Sequence, residues 1–491
     1  MTLLAIDIGT TTVKAARFAL DGRLLASAAR PNPVRQAPQG YSYYDPGELW
    51  AAVCAALAEL SASLPEPPLA VGVTGMAETG LLLGYAGGRP HTPLLPWFDR
   101  SAAPQAAALA ARLDVGERYR LAGIRPSFKP GLMKLLWVQE NDPAVLDGAG
   151  WLGAPDYIAY HLSGIRRTDW SLASRSYAFR LERKEWDAAL LVDLGLPPDV
   201  FPPPGPAWEA AGVTAAGLPP ELGLPAGLPL AVAGHDHPCA GLAAALLSGG
   251  LQGGLVFDSL GTAEALLGLF PERPLTAADF ESGFSCGLHV APGWMYWGGG
   301  LSASGGSIEW LRGLLGDPPL SYADLDALLD GQPPGPGELL YYPYLSGRGA
   351  PHTDQSARAS FLGLSARHGR PDLYRAVLEG TACEIEWMRR RAERTTGAQV
   401  TRLLVAGGGA RNRRWLQIRA DLHGVPVEVL PEPEATLLGA ALLAGRAAGL
   451  YPGFAAAARQ VARPPAARFD PDPARHAAYR ELFARWEAGL G

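Results

Sequence analysis

Asp7-Ile8-Gly9-Thr10-Thr11-Thr12 lies between two apolar stretches, Leu3 to Ile6 and Val13 to Leu20. The same plan returns far along the chain. Gly254-Leu255-Val256-Phe257 leads into Asp258-Ser259-Leu260-Gly261-Thr262, and Ala265 to Phe270 follows. The second copy is one residue longer. In both, an acid, a glycine and a threonine occupy a turn between two short strands. Asp21-Gly22 is a hairpin signal, so Arg23 to Ala28 reads as a third strand of the first unit. Strands around Phe284 to His289 and Trp294 to Trp297 complete a similar three-strand unit in the second half.

Beyond each unit the pattern turns to alternating helices and strands. Asp45-Pro46 starts a helix on which Leu49, Val53, Ala56, Leu57 and Leu60 recur at helical spacing. Leu69 to Val73 is the next strand. In the second half, Pro371 to Glu393 reads as a long helix, Leu403 to Ala406 as a strand, Asn412 to Leu422 as a helix, Val425 to Leu430 as a strand and Ala435 to Ala448 as a helix. Antiparallel strands followed by such alternation predict mixed sheets flanked by helices, an α/β fold. Two halves of one plan predict a duplication with a cleft between the copies. The junction falls near residues 229–253, which divides the chain into 1–240 and 241–491. The Pro/Gly-rich stretch 202–228 reads as a surface excursion of the first half, and 464–491 as a Pro-led tail ending in a helix.

A chain of 491 residues, 48% hydrophobic and 18% charged, is long enough for two domains with sizeable cores. The formal net charge is -6 and no Lys/Arg-rich run occurs, which argues against a nucleic-acid partner. The four cysteines form no CxxC pair, so neither a zinc site nor a disulfide framework is expected. The first residues lack the basic n-region of a signal peptide, and no window of about 18 apolar residues suggests a membrane span. A cytoplasmic protein is the expectation.

Four segments can carry chemistry. The turn after Asp7 offers backbone N–H groups and the hydroxyls of Thr10, Thr11 and Thr12, and such turns bind anions, phosphate above all. Asp7 could hold magnesium through water, and Lys14 could add charge. The turn at Gly261-Thr262 doubles the feature, and two such turns suit a cleft that clamps a phosphate chain. Gly407-Gly408-Gly409-Ala410-Arg411-Asn412 ends a strand and opens a helix, where glycines allow close approach of a flat ligand such as adenine. Val232-Ala233-Gly234-His235-Asp236-His237 puts an acid at a strand end near the junction, able to accept a hydroxyl proton. Two readings compete with this one: Asp236 as the cap of a helix over Ala240 to Leu247, and His235 and His237 as metal ligands, although too few other ligand types cluster nearby to favour a metal.

Taken in order, these segments resemble the FGGY carbohydrate kinases, the group that includes glycerol kinase and xylulokinase. The resemblance spans nearly the whole chain. It rests on the stretch Asp7 to Lys14, on Val73-Thr74-Gly75-Met76-Ala77-Glu78-Thr79, on Lys134 to Asn141 and on Thr168 to Ser174. It continues through Gly234-His235-Asp236, Ser259-Leu260-Gly261-Thr262 and Pro343-Tyr344-Leu345-Ser346-Gly347-Arg348. Further on it includes Phe361 to Leu364 and Gly407 to Asn412 with Gln417 and Ala420-Asp421. It implies two actin-like, ribonuclease H-like domains that close on ATP and a sugar, with a central cleft. It implies Asp236 as general base and Asp7 as the acid associated with Mg2+. Thr10, Thr11, Thr262, Gly408 and Asn412 would contact the nucleotide, joined by Thr12, Lys14, Gly261 and Gly306. Met76, Ala77, Glu78, Trp97, Asp99 and His237 would line the substrate pocket beside Asp236. A homodimer is common in the family.

Three departures bear on the substrate. Glycerol kinases carry an arginine where this chain has Ala77 before Glu78. Xylulokinases have a Met-His pair where Met76 is followed by Ala77. The segment Lys129 to Met133 lacks the aromatic residue that glycerol kinase sets against its substrate. The expected reaction is ATP-dependent phosphorylation of a small carbohydrate, a xylulose-like ketopentose or related sugar or polyol. The alternatives are a glycerol or tetritol kinase of the same family, an actin-like ATPase switch and a silent sugar-binding regulator. The Glu78 turn and the Tyr344 to Gly347 loop speak against the switch, and the presence of both Asp7 and Asp236 against the regulator.

Overall fold

The computed structural model describes residues 1–490. Two sheets dominate it. From edge to edge the first contains Gly212–Val213, Pro229–His235, Val71–Gly75, Thr2–Ile8, Thr12–Ala19 and Leu24–Pro31. The three N-terminal strands are antiparallel, as the Asp21-Gly22 hairpin requires. Val71–Gly75 and Pro229–His235 then join parallel to Thr2–Ile8. The second sheet contains Ser285–Leu288, Trp294–Leu301, Glu264–Pro271, Leu255–Leu260, Arg402–Ala406, Val427–Val429 and Ala467–Phe469. Its strands Leu255–Leu260, Glu264–Pro271 and Trp294–Leu301 are antiparallel, and Arg402–Ala406 and Val427–Val429 follow in parallel. With the edge strands Gly212–Val213, Ser285–Leu288 and Ala467–Phe469 left aside, both sheets run third, second, first, fourth, fifth by order of appearance within each half.

Three details differ from the sequence reading. Ser285–Leu288 is an added edge strand, and Trp294–Leu301 is the true counterpart of Leu24–Pro31 because it alone pairs with Glu264–Pro271. The 202–228 excursion is tied to the sheet, since Gly212 and Val213 pair with Leu230 and Pro229. The tail likewise adds Ala467–Phe469 to the second sheet before its helix Pro473–Ala488, which buries Tyr479, Leu482, Phe483 and Trp486.

Local chemistry explains the helices. The Asp45 side chain accepts from the Glu48 N–H, Pro46 supplies a pre-set φ, and the five apolar residues picked out by spacing are the five that Pro46–Ser63 buries. That helix and Ala154–Ser163 cover one face of the first sheet. The other face receives Ala435–Ala447, which also packs on Asp236–Leu247. Both helices are rich in alanine and glycine, so their backbones approach closely. A Cβ at Gly439 would collide with the Cys239 carbonyl, and one at Gly72 with that of Ala440. This pair sits in a core that includes Leu3 and Phe18 of the first sheet and Phe257 and Leu404 of the second. The two halves therefore share an apolar layer through these helices. Among the described residues, no helix is long and apolar enough to cross a membrane.

Candidate active site

In the first sheet, Ile8 lies opposite Gly75, and Gly75 opposite His235. The segments that follow these three parallel strands therefore leave from one edge. They are the Gly9 to Thr12 turn, the Met76 to Thr79 turn and His235-Asp236-His237. The carboxyl ends of parallel strands are where α/β sheets place ligands.

Asp7 ends its strand with Oδ1 buried and without a hydrogen-bond partner. Burial raises its pKa to about 7, the nearby Asp236 carboxylate adds to the rise and Lys14 opposes it. A carboxylate oxygen so desolvated is matched by a hard cation, and magnesium fits this oxygen donor among hydroxyl-bearing turn residues. Lys14 places Nζ 2.9 Å from both Glu434 carboxylate oxygens, at the start of the helix Ala435–Ala447. Gly9 N–H donates to the Thr12 carbonyl over 3.1 Å, closing the tight turn. The Thr10 hydroxyl accepts from Trp97 Nε1 at 3.2 Å and faces the Met76 sulfur. Thr11 is exposed and Thr12 half-buried.

Asp236 opens a helix whose cap residue is His235. Its Oδ1 receives the His237 backbone N–H at 2.6 Å, and both rings reach the same oxygen, His237 Nδ1 at 2.7 Å and His235 Nε2 at 3.0 Å. Burial works against the charge, yet the two imidazoles hold the acid well below the usual carboxylate range. Asp236 also raises His237, against the effect of burial, while burial lowers His235. One ligand atom from each of the three side chains lies within 4.8 Å of the others. That is a metal-ligand spacing, but both rings converge on one carboxylate oxygen, as hydrogen-bonding partners do. Cys239 is buried, and its thiol donates to the Ala233 carbonyl.

Glu78 adopts a left-handed backbone, φ 65°, unusual for a side-chain-bearing residue. Its Oε1 lies 2.6 Å from Arg175 Nη2. Burial favours the protonated acid, but Arg175, then Lys129 and Lys134, outweigh it and hold the carboxyl below its ordinary value. Lys134 donates to the Lys129 carbonyl, and burial pulls its ammonium down to about 7 against Glu78 and Asp99. The Lys129 ammonium lies 5.2 Å from the centre of a Trp97 ring. Met76 and Ala77 turn into the core, leaving Glu78 as the charged group of its turn. Asp99 accepts from the Ser42 and Ser101 N–H groups at 2.7 and 3.0 Å, which shapes its loop. Arg175 and Lys129 were not singled out from sequence. The one available signal for Arg175 was its place directly after the quoted Thr168 to Ser174 segment.

The second half repeats the edge geometry. Ser259 lies opposite Ala406, so the Gly261-Thr262 turn and Gly407 to Gly409 emerge side by side. Gly407 needs its positive φ of 99° and lies against the Leu260 carbonyl, where a Cβ would sit 2.7 Å from the oxygen. Gly408 and Thr262 are exposed. The Gly305 and Gly306 N–H groups donate to the Gly261 and Thr262 carbonyls at 3.1 and 2.9 Å, which seats the helix Gly305–Leu315 on the turn. The Asn412 side chain is engaged within the protein. Its oxygen caps Trp415 N–H at 2.9 Å and its amide donates to the Tyr374 hydroxyl at 2.8 Å.

Residues 2–243 match the N-terminal domain, and residues 258–448 the C-terminal domain, of the FGGY family of carbohydrate kinases. A glycerol kinase from Gloeobacter violaceus is 31% identical, over 94% of this chain and 91% of its own length. A xylulose kinase from Bacillus subtilis is 28% identical, over 98% of this chain and 95% of its own. The crystal structure of xylulose kinase from Rhodospirillum rubrum superposes with a TM-score of 0.90 at 28% identity, covering 99% of this chain and 98% of that one. The duplicated sheets, the strand-end acids and both glycine-rich turns thus lie within a known frame: the chain belongs to the FGGY family of carbohydrate kinases, ATP-dependent phosphotransferases with the two-domain actin-like fold.

Proposed function

We propose that the protein transfers the γ-phosphoryl group of ATP to a hydroxyl of a ketopentose or a closely related sugar or polyol, with Asp236 as general base. The observation that carries this reading is the meeting of Asp7, Glu78 and Asp236 at one sheet edge. Asp236 accepts the hydroxyl proton as the bond to phosphorus forms. Its low basicity suits a loose, metaphosphate-like transfer, in which positioning outweighs base strength. Both imidazoles lean on Oδ1, which leaves Oδ2 for the acceptor. Glu78, oriented by Arg175, accepts from sugar hydroxyls, and Trp97 walls the pocket beside Thr10. The threonines after Asp7 and the Gly261-Thr262 turn hold the phosphate chain, and Gly408 lies against the nucleoside. Asp7 is the acid toward magnesium, which neutralises phosphate charge when bound. Residues 1–240 form the sugar-side domain and 241–491 the nucleotide-side domain. Ala77 stands in place of both the glycerol-kinase arginine and the xylulokinase histidine, so the choice between ketose and glycerol rests on the acceptor panel.

ADP release with ATP and magnesium, across ketopentoses, ketohexoses, tetritols, pentitols and glycerol, tests the reading. One acceptor should stimulate turnover strongly. Asp236→Asn should lower kcat by about 10²- to 10⁴-fold while ADP still binds. Turnover indifferent to every acceptor and surviving in the variant would instead identify an ATPase switch.

A further inference from the structure

The two halves share a plan, but their strand-end acids, Asp7 and Asp258, have different surroundings. Each keeps one carboxylate oxygen without a hydrogen-bond partner, but only Asp258 is fully buried with its other oxygen against a guanidinium, that of Arg419. Arg419 is itself inaccessible. Its Nη1 lies 2.8 Å from Asp258 Oδ2 and 2.7 Å from Glu264 Oε1, and its Nη2 lies 2.7 Å from Glu264 Oε2. Leu260 and Glu264 are paired across the hairpin whose loop is the Gly261-Thr262 turn. One guanidinium therefore grips both strands that carry this turn. Glu264 Oε2 also accepts the Ser304 hydroxyl, and the Ser304 N–H donates to the Thr262 carbonyl at 3.0 Å. Ser304 precedes the helix Gly305–Leu315. Arg419 belongs to Arg413–His423, the helix that follows Gly407 to Asn412.

The cluster thus ties together three separate pieces of the nucleotide side: the phosphate turn, the helix start seated on it and the helix behind the glycine-rich turn. Stability alone accounts poorly for such a cluster. Replacing a buried ion triad by apolar groups of similar volume is often neutral or stabilising. Arginine, with its planar fork, can bridge two carboxylates at fixed angles, whereas a lysine ammonium cannot reproduce that geometry.

We propose that Arg419, with Glu264, Asp258 and Ser304, is a positioning unit that sets the spacing between the phosphate turn and the adenosine-side helix, and so sets nucleotide affinity. This rests on the reading of Gly261-Thr262 and Gly407 to Asn412 as nucleotide-binding elements. It adds residues that touch no substrate and act through those elements.

The test is ADP binding to the full chain by calorimetry, which needs no sugar, together with KM and kcat for ATP and for the accepted sugar. Arg419→Lys, Glu264→Gln and Ser304→Ala are compared with wild type, and each variant's thermal transition is recorded. The two milder changes keep the question open should Arg419→Lys fail to fold. The expected result is ADP binding weakened about tenfold or more, with KM for ATP raised in step and KM for the sugar unchanged, in variants that still melt cooperatively. Folded variants that bind ADP as wild type does would overturn the positioning role and leave the kinase reading standing. A wild type that binds no ADP would overturn both.

Discussion

Glu78 combines a left-handed backbone with a 2.6 Å ion pair in a nearly water-free setting. Strain of this kind persists only where the surroundings hold it, and it clusters at functional turns. Arg175 supplies that hold through its ion pair with Glu78. Glu78→Gln should therefore remove the anion from a guanidinium that has little access to water. The expected cost is about 3 kcal/mol, read from the urea midpoint at constant slope, together with a raised KM for the sugar. Glu78→Gln combined with Arg175→Met should cost less than the sum of the two single changes, because the partners are in contact. An additive result would show that the pair is not coupled. Glu78 was legible from its motif. Arg175 was not, because nothing in a string of letters says that a residue 97 positions away points its guanidinium into the same turn.

Elements were easier to read than side-chain partners. The helix Pro46–Ser63 follows from a cap, a proline and a 3.6-residue period, all local properties. Edge strands were harder. Ser285–Leu288 and Gly212–Val213 are short, and only their neighbours in space make them strands. The helix pair Asp236–Leu247 and Ala435–Ala447 depends on small residues at one crossing. Gly439→Ala would push a methyl into the Cys239 carbonyl, a backbone atom that cannot step aside. We expect a loss of about 1–3 kcal/mol from overpacking, measured by thermal or urea unfolding. The same change displaces the start of the helix that carries Asp236, so kcat should fall as well. A neutral Gly439→Ala would mean that the crossing is looser than the close approach of the two backbones indicates.

On the scale of the molecule, the Ala/Gly-rich helix pair is the layer through which the two sheets meet, while the two glycine-threonine turns and the strand-end acids lie at the ends of the strands. We predict that the halves close about the shared helices when both substrates bind. Closure would exclude water from the transferring group, which a kinase needs to avoid wasteful hydrolysis. X-ray scattering should show a smaller radius of gyration when the accepted sugar and a non-hydrolysable ATP analogue are both present with magnesium than with either alone. An unchanged radius would argue for a site that is already closed.

The sequence by itself determined the duplicated plan, the α/β class, the long helices, the family and the two strand-end acids Asp7 and Asp236. Each is written locally, in turn chemistry, hydrophobic period or a motif at fixed spacing. Only the tertiary structure decided how the acids are used. Asp7 and Asp258 occupy equivalent places in the two repeats and each keeps an unpartnered oxygen, yet only Asp258 is paired with a buried guanidinium, that of Arg419, 161 residues away. His235 and His237 turned out to serve one carboxylate oxygen, and Asn412 to spend its side chain on a helix cap and Tyr374. The physical reason is the same in each case. Burial makes a charge depend on whichever partner reaches it within about 3 Å, and that partner is chosen by the folding of distant segments, not by neighbours in the chain.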